Sequence, residues 1–213
     1  MKTEELVVLL AAGESAVDPH AVARRYAQAM SFGLPAAGLL MFTLLKLRPD
    51  LAEVVWLPAF WIKAGFVASL AGAALFAVLR LSRPGARIGR LPGLLVAPVL
   101  VIWSLAAYAL LDSPPPQRPT LFFGATWKSC PLLIALLSVP LFAALMWAMK
   151  GLAPTHTRFA GFSAGLLAGS TGALIYCLHC PEMTTPFIGF WYLLGMLIPA
   201  VVGALLSTRM LRW

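Results

Sequence analysis

The sequence predicts an all-α membrane protein, a bundle of six transmembrane helices preceded by a short cytoplasmic N-terminal helix. Apolar residues make up 61% of the 213 residues and charged residues only 11%, which is too little charge for a soluble domain. The apolar residues collect in six charge-free runs, and none of them alternates with the period of two that a barrel strand needs. Because lipid offers no partner to free backbone polar groups, each run must form a helix.

The lengths of the six runs match the thickness of a bilayer. Five of them contain 19 to 22 residues, enough at about 1.5 Å per residue to cross roughly 30 Å of hydrocarbon. The second run is shorter, but it extends back through Lys63 to Val54, because a lysine can reach the interface along its own stem. The predicted spans are 27–45, 64–79, 91–111, 129–149, 159–178 and 187–208.

The chain before the first span has the pattern of a separate short helix. We take residues 1–25 as a cytoplasmic segment and residues 26–213 as the transmembrane domain. Thr3 can cap a helix whose first turn holds Glu4 and Glu5, where the helix dipole favours acidic side chains. An apolar stretch follows as far as Ala12.

Two further signals in this segment set the limits of the helix. Gly13 can end it, and Asp18-Pro19 is typical of the start of the next helix. An apolar helix with acidic residues suits a groove on a basic protein partner, and the alternative is a helix resting on the arginine loops of its own chain. The candidate partner-binding residues are Glu4, Glu5, Leu6, Leu9, Leu10, Arg24 and Arg25.

The distribution of basic residues predicts the orientation. With six spans both termini share one side, and eleven of the 16 basic residues lie on that side. The loop RLSRPGARIGR, residues 80–90, alone carries four arginines and no acid. The positive-inside rule therefore places both termini in the cytoplasm. The net charge of +8 is explained by these loops and gives no reason to expect direct binding of nucleic acid.

The three cysteines are the main candidate site residues. Cys130 opens the fourth span, and Cys177 and Cys180 lie in CLHCPE at the end of the fifth, so all three face the outer side. In an oxidising compartment a pair of them can form a disulfide, and thiolates can take a soft metal ion with His179 as an additional ligand. Purely structural cysteines and catalytic disulfide exchange remain the alternatives at this point.

Glycines recur every four residues in the fifth span, at Gly161, Gly165 and Gly169. Such a strip lets another helix approach closely, either within the chain or in a homodimer.

The spans lack the residues that catalysis or transport needs. Their interiors hold no Asp, Glu, Lys, Arg or His, and the sequence has no hydrolase or metalloprotease motif. A membrane thiol–disulfide oxidoreductase would need a second pair of outer cysteines, and a small transporter would need polar groups at mid-depth. The pattern therefore favours a binding or regulatory protein that is not an enzyme and requires no cofactor.

Several segments along the whole chain carry a family resemblance. They are MKTEELVVLLA at the start, VDPHAVARR, RPDL, RPGAR, TWKSCPLLIALLSVP at 126–140, LHCPE at 178–182 with the FWYLLGM that follows, and the closing RMLRW. With these segments the chain resembles the NrsF family (negative regulator of sigma F), anti-sigma factors of the bacterial inner membrane.

The resemblance implies more than the residues alone predict. Such proteins hold an extracytoplasmic-function sigma factor at the membrane and release it under heavy-metal or oxidative stress. Two family cysteines act in sensing, and they correspond to Cys130 and Cys180 here, with Cys177 as an addition. A soft metal ion bound by Cys130 and Cys180 would then be a signal and not a resident cofactor.

Overall fold

The computed structural model describes residues 3–12, 20–83, 85–86, 88–152 and 154–210, and within these ranges all regular structure is helical. Six helical segments are long and apolar enough to cross a membrane, which confirms the predicted fold class. They are α2 (Ala21–Leu44), α4 (Pro58–Leu81), α5 (Leu91–Asp112), α7 (Cys130–Lys150), α8 (Thr157–Tyr176) and the composite last span Thr185–Met210.

Short helices complete the described chain. The N-terminal helix α1 covers Thr3–Ala12 and has Glu4 and Glu5 in its first turn, as predicted, with Thr3 inside the helix. The connections contain α3 (Leu51–Val54) and, after one 3₁₀ turn, α6 (Arg118–Phe123). The predicted helix stop at Gly13 and the predicted helix start at Asp18-Pro19 lie outside the described residues.

Two spans begin differently from the prediction, and proline accounts for both starts. Helix α4 begins at Pro58, where proline's missing N–H is harmless in the first turn. The last span begins with α9 (Thr185–Phe187), which also has proline in its first turn, and continues through a π-helical turn, Ile188–Tyr192, into α10 (Leu193–Met210). A π turn inserts an extra residue and rotates the side chains that follow it.

Helix α8 is the centre of the bundle. It packs against α10, α4 and α7 and also touches α2. A methyl group on Gly161 would meet the carbonyl oxygen of Gly203, and one on Gly165 would meet that of Pro199. The predicted glycine strip is therefore filled by α10 of the same chain. By contrast, side chains on the outside of the bundle such as Phe32 and Trp147 are 76% and 69% exposed, as lipid-facing residues should be.

The bundle has two ends, which we name for their contents. The basic end holds the arginine-rich loop after α4, the loop after α7, the first residues of α2 and the last residues of α10. There the hydroxyl groups of Tyr26 and Ser82 form a buried hydrogen bond of 2.8 Å, which ties the start of α2 to the end of α4. The guanidinium of Arg25 rests on Gly151 just after α7. The thiol end, opposite, holds the three cysteines.

Substituting Gly165 by Ala should lower the free energy of unfolding by about 1–3 kcal/mol, because the new methyl group would force α8 away from α10. Thermal unfolding of the purified protein in detergent measures this. Gly38→Ala in α2 is the matched control, because nothing lies within 4 Å of its added methyl group. Equal melting temperatures for both variants would contradict the packing described here.

Candidate functional site

The three cysteines meet at the thiol end, as the alternation of the spans predicts. Cys130 begins α7, Cys177 directly follows α8, and Cys180 lies in the loop before the last span. Because α7 and α8 pack together and consecutive spans run in opposite directions, the start of one meets the end of the other. All three thiols are free and buried. We call these three residues the thiol cluster.

Cys130 and Cys180 form the closest pair of the cluster, with side chains near enough to interact as hydrogen-bonding partners. This contact lowers the pKa of Cys180 to about 6, against the opposing effect of burial, and the positive charge of Lys63 lowers it further. Since the thiolate is the reactive form of cysteine, this lowered pKa favours the reactive form of Cys180.

Two tyrosines enclose the thiols. Tyr176, the last residue of α8, and Tyr192, the last residue of the π turn, are both buried, and their ring centroids lie 5.8 Å apart. The Tyr192 hydroxyl lies near Cys177 and Cys180, yet it has no well-aligned hydrogen bond to any described residue. A buried hydroxyl without a partner is uncommon in native structures. A small change in packing here could give the Tyr192 hydroxyl a hydrogen bond.

Lys63 is the least expected member of the site. We predicted that its ammonium would reach toward the interface, but the residue is fully buried. Its Nζ donates hydrogen bonds of 3.0 Å to the carbonyl oxygens of Cys180 and Glu182 and lies 5.4 Å from the centroid of the Tyr192 ring. These carbonyls replace the water that the ammonium gives up, which is why the charge turns inward.

The loop after α2 covers the cluster from one side. Arg48 is paired with Asp50 through two contacts of 2.7 Å, and its Nη1 donates to the carbonyl oxygen of Cys180 at 3.3 Å. His179 turns its Nδ1 to the carbonyl oxygen of Lys46, 2.9 Å away. The Cys180 carbonyl therefore receives hydrogen bonds from both Lys63 and Arg48, which fixes the backbone beside the reactive sulfur.

The loop between α5 and α7 covers the cluster from another side. Its Ala125 amide donates to Oε1 of Glu182 at 2.7 Å, so Glu182 binds this loop. Gly124 has a positive φ of 55°, and a methyl group there would collide with the Glu182 carboxylate. The aromatic side chains of this loop pack on the last span and form a cluster of Phe122, Phe123, Trp127, Phe190 and Trp191.

The donor set suits a thiol pair better than a closed metal centre. Among the described residues no group of three or more His, Cys, Asp or Glu side chains is arranged to hold a metal ion. His179, expected as an additional ligand, is engaged with Lys46. A tetrahedral zinc site would need four such ligands, so the arrangement does not fit one.

The predicted partner-binding residues lie apart from the thiol cluster. In α1 the side chains of Leu6, Val7 and Val8 are 42%, 58% and 66% exposed, beside the exposed Glu4 and Glu5. Arg24 and Arg25 lie in the first turns of α2, and Arg25 contacts Gly151. Leu9 and Leu10 belong to α1, but their side chains are outside the described part of the structure. The predicted site residues therefore form two separate groups: the thiol cluster, and the candidate partner-binding residues of α1 and α2.

Comparisons with known proteins cover the whole chain. The family described as "Negative regulator of sigma F" (NrsF) matches residues 10–213. A protein of Azospira oryzae named "Probable anti-sigma-F factor NrsF" is 60% identical over 213 residues, and the alignment covers both chains completely. One of Caulobacter vibrioides named "Anti-sigma-F factor NrsF" is 39% identical over 215 residues, again with complete coverage of both. No solved structure matches the chain.

Substituting Lys63 by Met should open the loop that carries Cys180. Hydrogen bonds to a charged group contribute about 1.5–3 kcal/mol each, so losing two of them should raise the opened population at least tenfold. The rate at which a small thiol reagent labels Cys180 in membranes, with the other cysteines replaced by serine, measures this. Lys46→Met is the control, because the Lys46 side chain is exposed. Unchanged labelling in the Lys63→Met variant would contradict the tether.

Proposed function

Because the chain belongs to the NrsF family of negative regulators of sigma F, we propose that it is a membrane anti-sigma factor that sequesters an extracytoplasmic-function sigma factor. The observation that carries this proposal is similarity over the full length to two proteins named as anti-sigma-F factors. The family role is regulatory and not catalytic, which removes the oxidoreductase alternative. The transporter alternative has no observation in its favour.

The orientation in this proposal places the basic end in the cytoplasm of a bacterium and the thiol end outside the inner membrane. The argument is the charge asymmetry: residues 80–90, which are the end of α4 and the loop after it, hold four arginines and no acid. The thiol cluster then faces an oxidising compartment, where thiol pairs can exchange with disulfides. The sigma factor meets only the basic end.

The N-terminal helix supplies the binding surface for the sigma factor. Its exposed Leu6, Val7 and Val8 are apolar side chains distributed around the helix, and Glu4 and Glu5 give its first turn a negative charge. A short apolar helix of this kind can bind by lying in an apolar groove of a partner. Arg24 and Arg25, in the first turns of α2 at the basic end, are the second group of residues in this proposed contact.

The thiol pair is the stress sensor. When a peroxide reaches the cluster, the Cys180 thiolate attacks one oxygen, the O–O bond breaks, and Cys180 becomes a sulfenic acid while hydroxide leaves and takes up a proton. The Cys130 thiol then attacks the Cys180 sulfur, a disulfide forms, and water leaves. A soft metal ion bound by Cys130 and Cys180 is the second kind of signal, because thiolates are its preferred ligands.

The change at the thiol end reaches the basic end through α4. A disulfide draws Cys180 toward α7, and the two carbonyl oxygens that hold Lys63 move with it. Lys63 lies near the outer end of α4, and Ser82, bonded to Tyr26 of α2, directly follows the inner end. Weakening sigma binding tenfold needs only about 1.4 kcal/mol of coupling, which one altered hydrogen bond can supply.

Replacing Cys130 and Cys180 together by Ser should abolish induction of sigma-dependent transcription by peroxide and by soft metals, since neither a disulfide nor a thiolate site can form. A promoter fusion in the bacterium measures induction, and immunoblotting confirms equal protein levels. Cys177→Ser is the matched control and should respond as the wild type does. Normal induction in the double variant would contradict the sensor role.

Deleting residues 2–13 should release the sigma factor without stress, because the apolar helix is lost while the bundle remains. Val8→Asp should act in the same direction without a truncation, since this side chain is 66% exposed and contributes little to the fold. Co-purification of the sigma factor from solubilised membranes measures binding. Full retention by both variants would move the contact to the arginine loops.

A further inference from the structure

A cavity of about 510 Å³ opens between α4, α5, α8 and α10. Its walls are almost wholly apolar and include Leu70, Leu95, Phe162, Leu166 and Leu197. The lining on α4 runs from Leu70 to Leu81, a length of about 16 Å at the helical rise, so the cavity extends along the helices from mid-depth to the basic end.

The cavity lies where α5 packs on α4 but has few contacts with α8 and α10. Helix α5 packs on α4 and, at the thiol end, on α9 and the π turn, where Trp103 donates a hydrogen bond of 2.8 Å to the carbonyl oxygen of Gly189. Toward the basic end the first turns of α5, from Leu91 to Val99, stand away from α8 and α10 and form the outer wall. In a bilayer such an apolar space is filled by hydrocarbon, because an empty space forfeits dispersion contacts along its whole lining.

Arg158 lies at the mouth of the cavity. It belongs to the first turn of α8, its side chain is exposed, and it has no hydrogen-bond or ion-pair partner among the residues that the structure describes. Arg83 and Arg90 lie at the same end, where the described residues of the bundle from α2 to α10 include no acidic side chain. Apolar walls that end in an unpaired guanidinium are complementary to a lipid tail beneath an anionic headgroup.

We propose that this cavity binds an anionic phospholipid, with one acyl chain between α5 and α8 and the phosphate group at Arg158. The volume lies within the roughly 300–1,000 Å³ of ordinary small-molecule sites and accommodates a single chain. The lipid fills the space that α5 leaves open and so holds the basic end of α5 in place. Neither the thiol cluster nor the proposed sigma binding is needed for this site.

The test uses the delipidated full-length protein in detergent and compares phosphatidylglycerol with phosphatidylcholine of identical acyl chains. Native mass spectrometry counts bound lipids, and thermal unfolding measures stabilisation by ligand. The wild type should bind one phosphatidylglycerol at least tenfold more tightly than phosphatidylcholine. Arg158→Gln should remove this preference but keep the weaker binding, and Ala204→Phe, which fills the cavity, should weaken binding of both lipids.

Matched variants separate the site from general charge and size effects. Arg209→Gln removes the same charge from the same end without lining the cavity, and Ala36→Phe adds the same ring to the outer surface of α2; both should bind lipid as the wild type does. Equal affinity of the wild type for the two lipids would overturn the proposal, as would undiminished binding by Ala204→Phe. Loss of sigma-factor binding in Ala204→Phe with unchanged lipid binding would also overturn it, in favour of a peptide as the occupant.

Discussion

The close approach of α8 to its neighbours is the constraint on which the rest of the molecule depends. Glycine at positions 161 and 165 allows the backbone of α8 to touch that of α10, and the other faces of α8 pack on α4 and α7. A helix held this tightly ends at a defined place, so Tyr176 and Cys177 enter the centre of the thiol end and the chain turns there to bring Cys180 beside Cys130. If α8 were packed more loosely, only the loop would determine where the Cys180 sulfur lies relative to the Cys130 sulfur.

A buried charge then fixes the loop. Lys63 gives up water for two backbone carbonyls and an aromatic ring, and one of those carbonyls also accepts from Arg48. Such a network is satisfied in one geometry and costly in others, since an ammonium that loses its acceptors away from water has no substitute. This makes the Cys180 loop responsive to the state of its thiol: a change at the sulfur has to be accommodated by a helix that reaches the other end of the bundle.

The sequence predicted the architecture well and the details of the site only in part. The six spans could be predicted from the composition and length of the apolar runs. Counting how often the chain crosses the membrane then showed that Cys130, Cys177 and Cys180 lie on the same side. The choice of Cys130 and Cys180 as a pair rested on family resemblance, because spacing alone favours the neighbouring Cys177 and Cys180. Lys63 was misread: a lysine near the end of a span normally reaches water, and only tertiary contacts show that it turns inward. The role of Tyr192 was missed because it depends on a π turn, which has no distinctive residue pattern.

The two ends of the protein carry different functional groups. Thiols and a buried ammonium lie at one end, and the proposed sigma-binding arginines and exposed apolar helix are assigned to the other. The most direct test of the proposed link between them is the affinity of the purified protein in nanodiscs for its sigma factor, measured once with reduced thiols and once with the Cys130–Cys180 disulfide verified by mass spectrometry. The account predicts at least tenfold weaker binding by the oxidised protein, with full recovery after reduction. Equal dissociation constants for the two forms would contradict it.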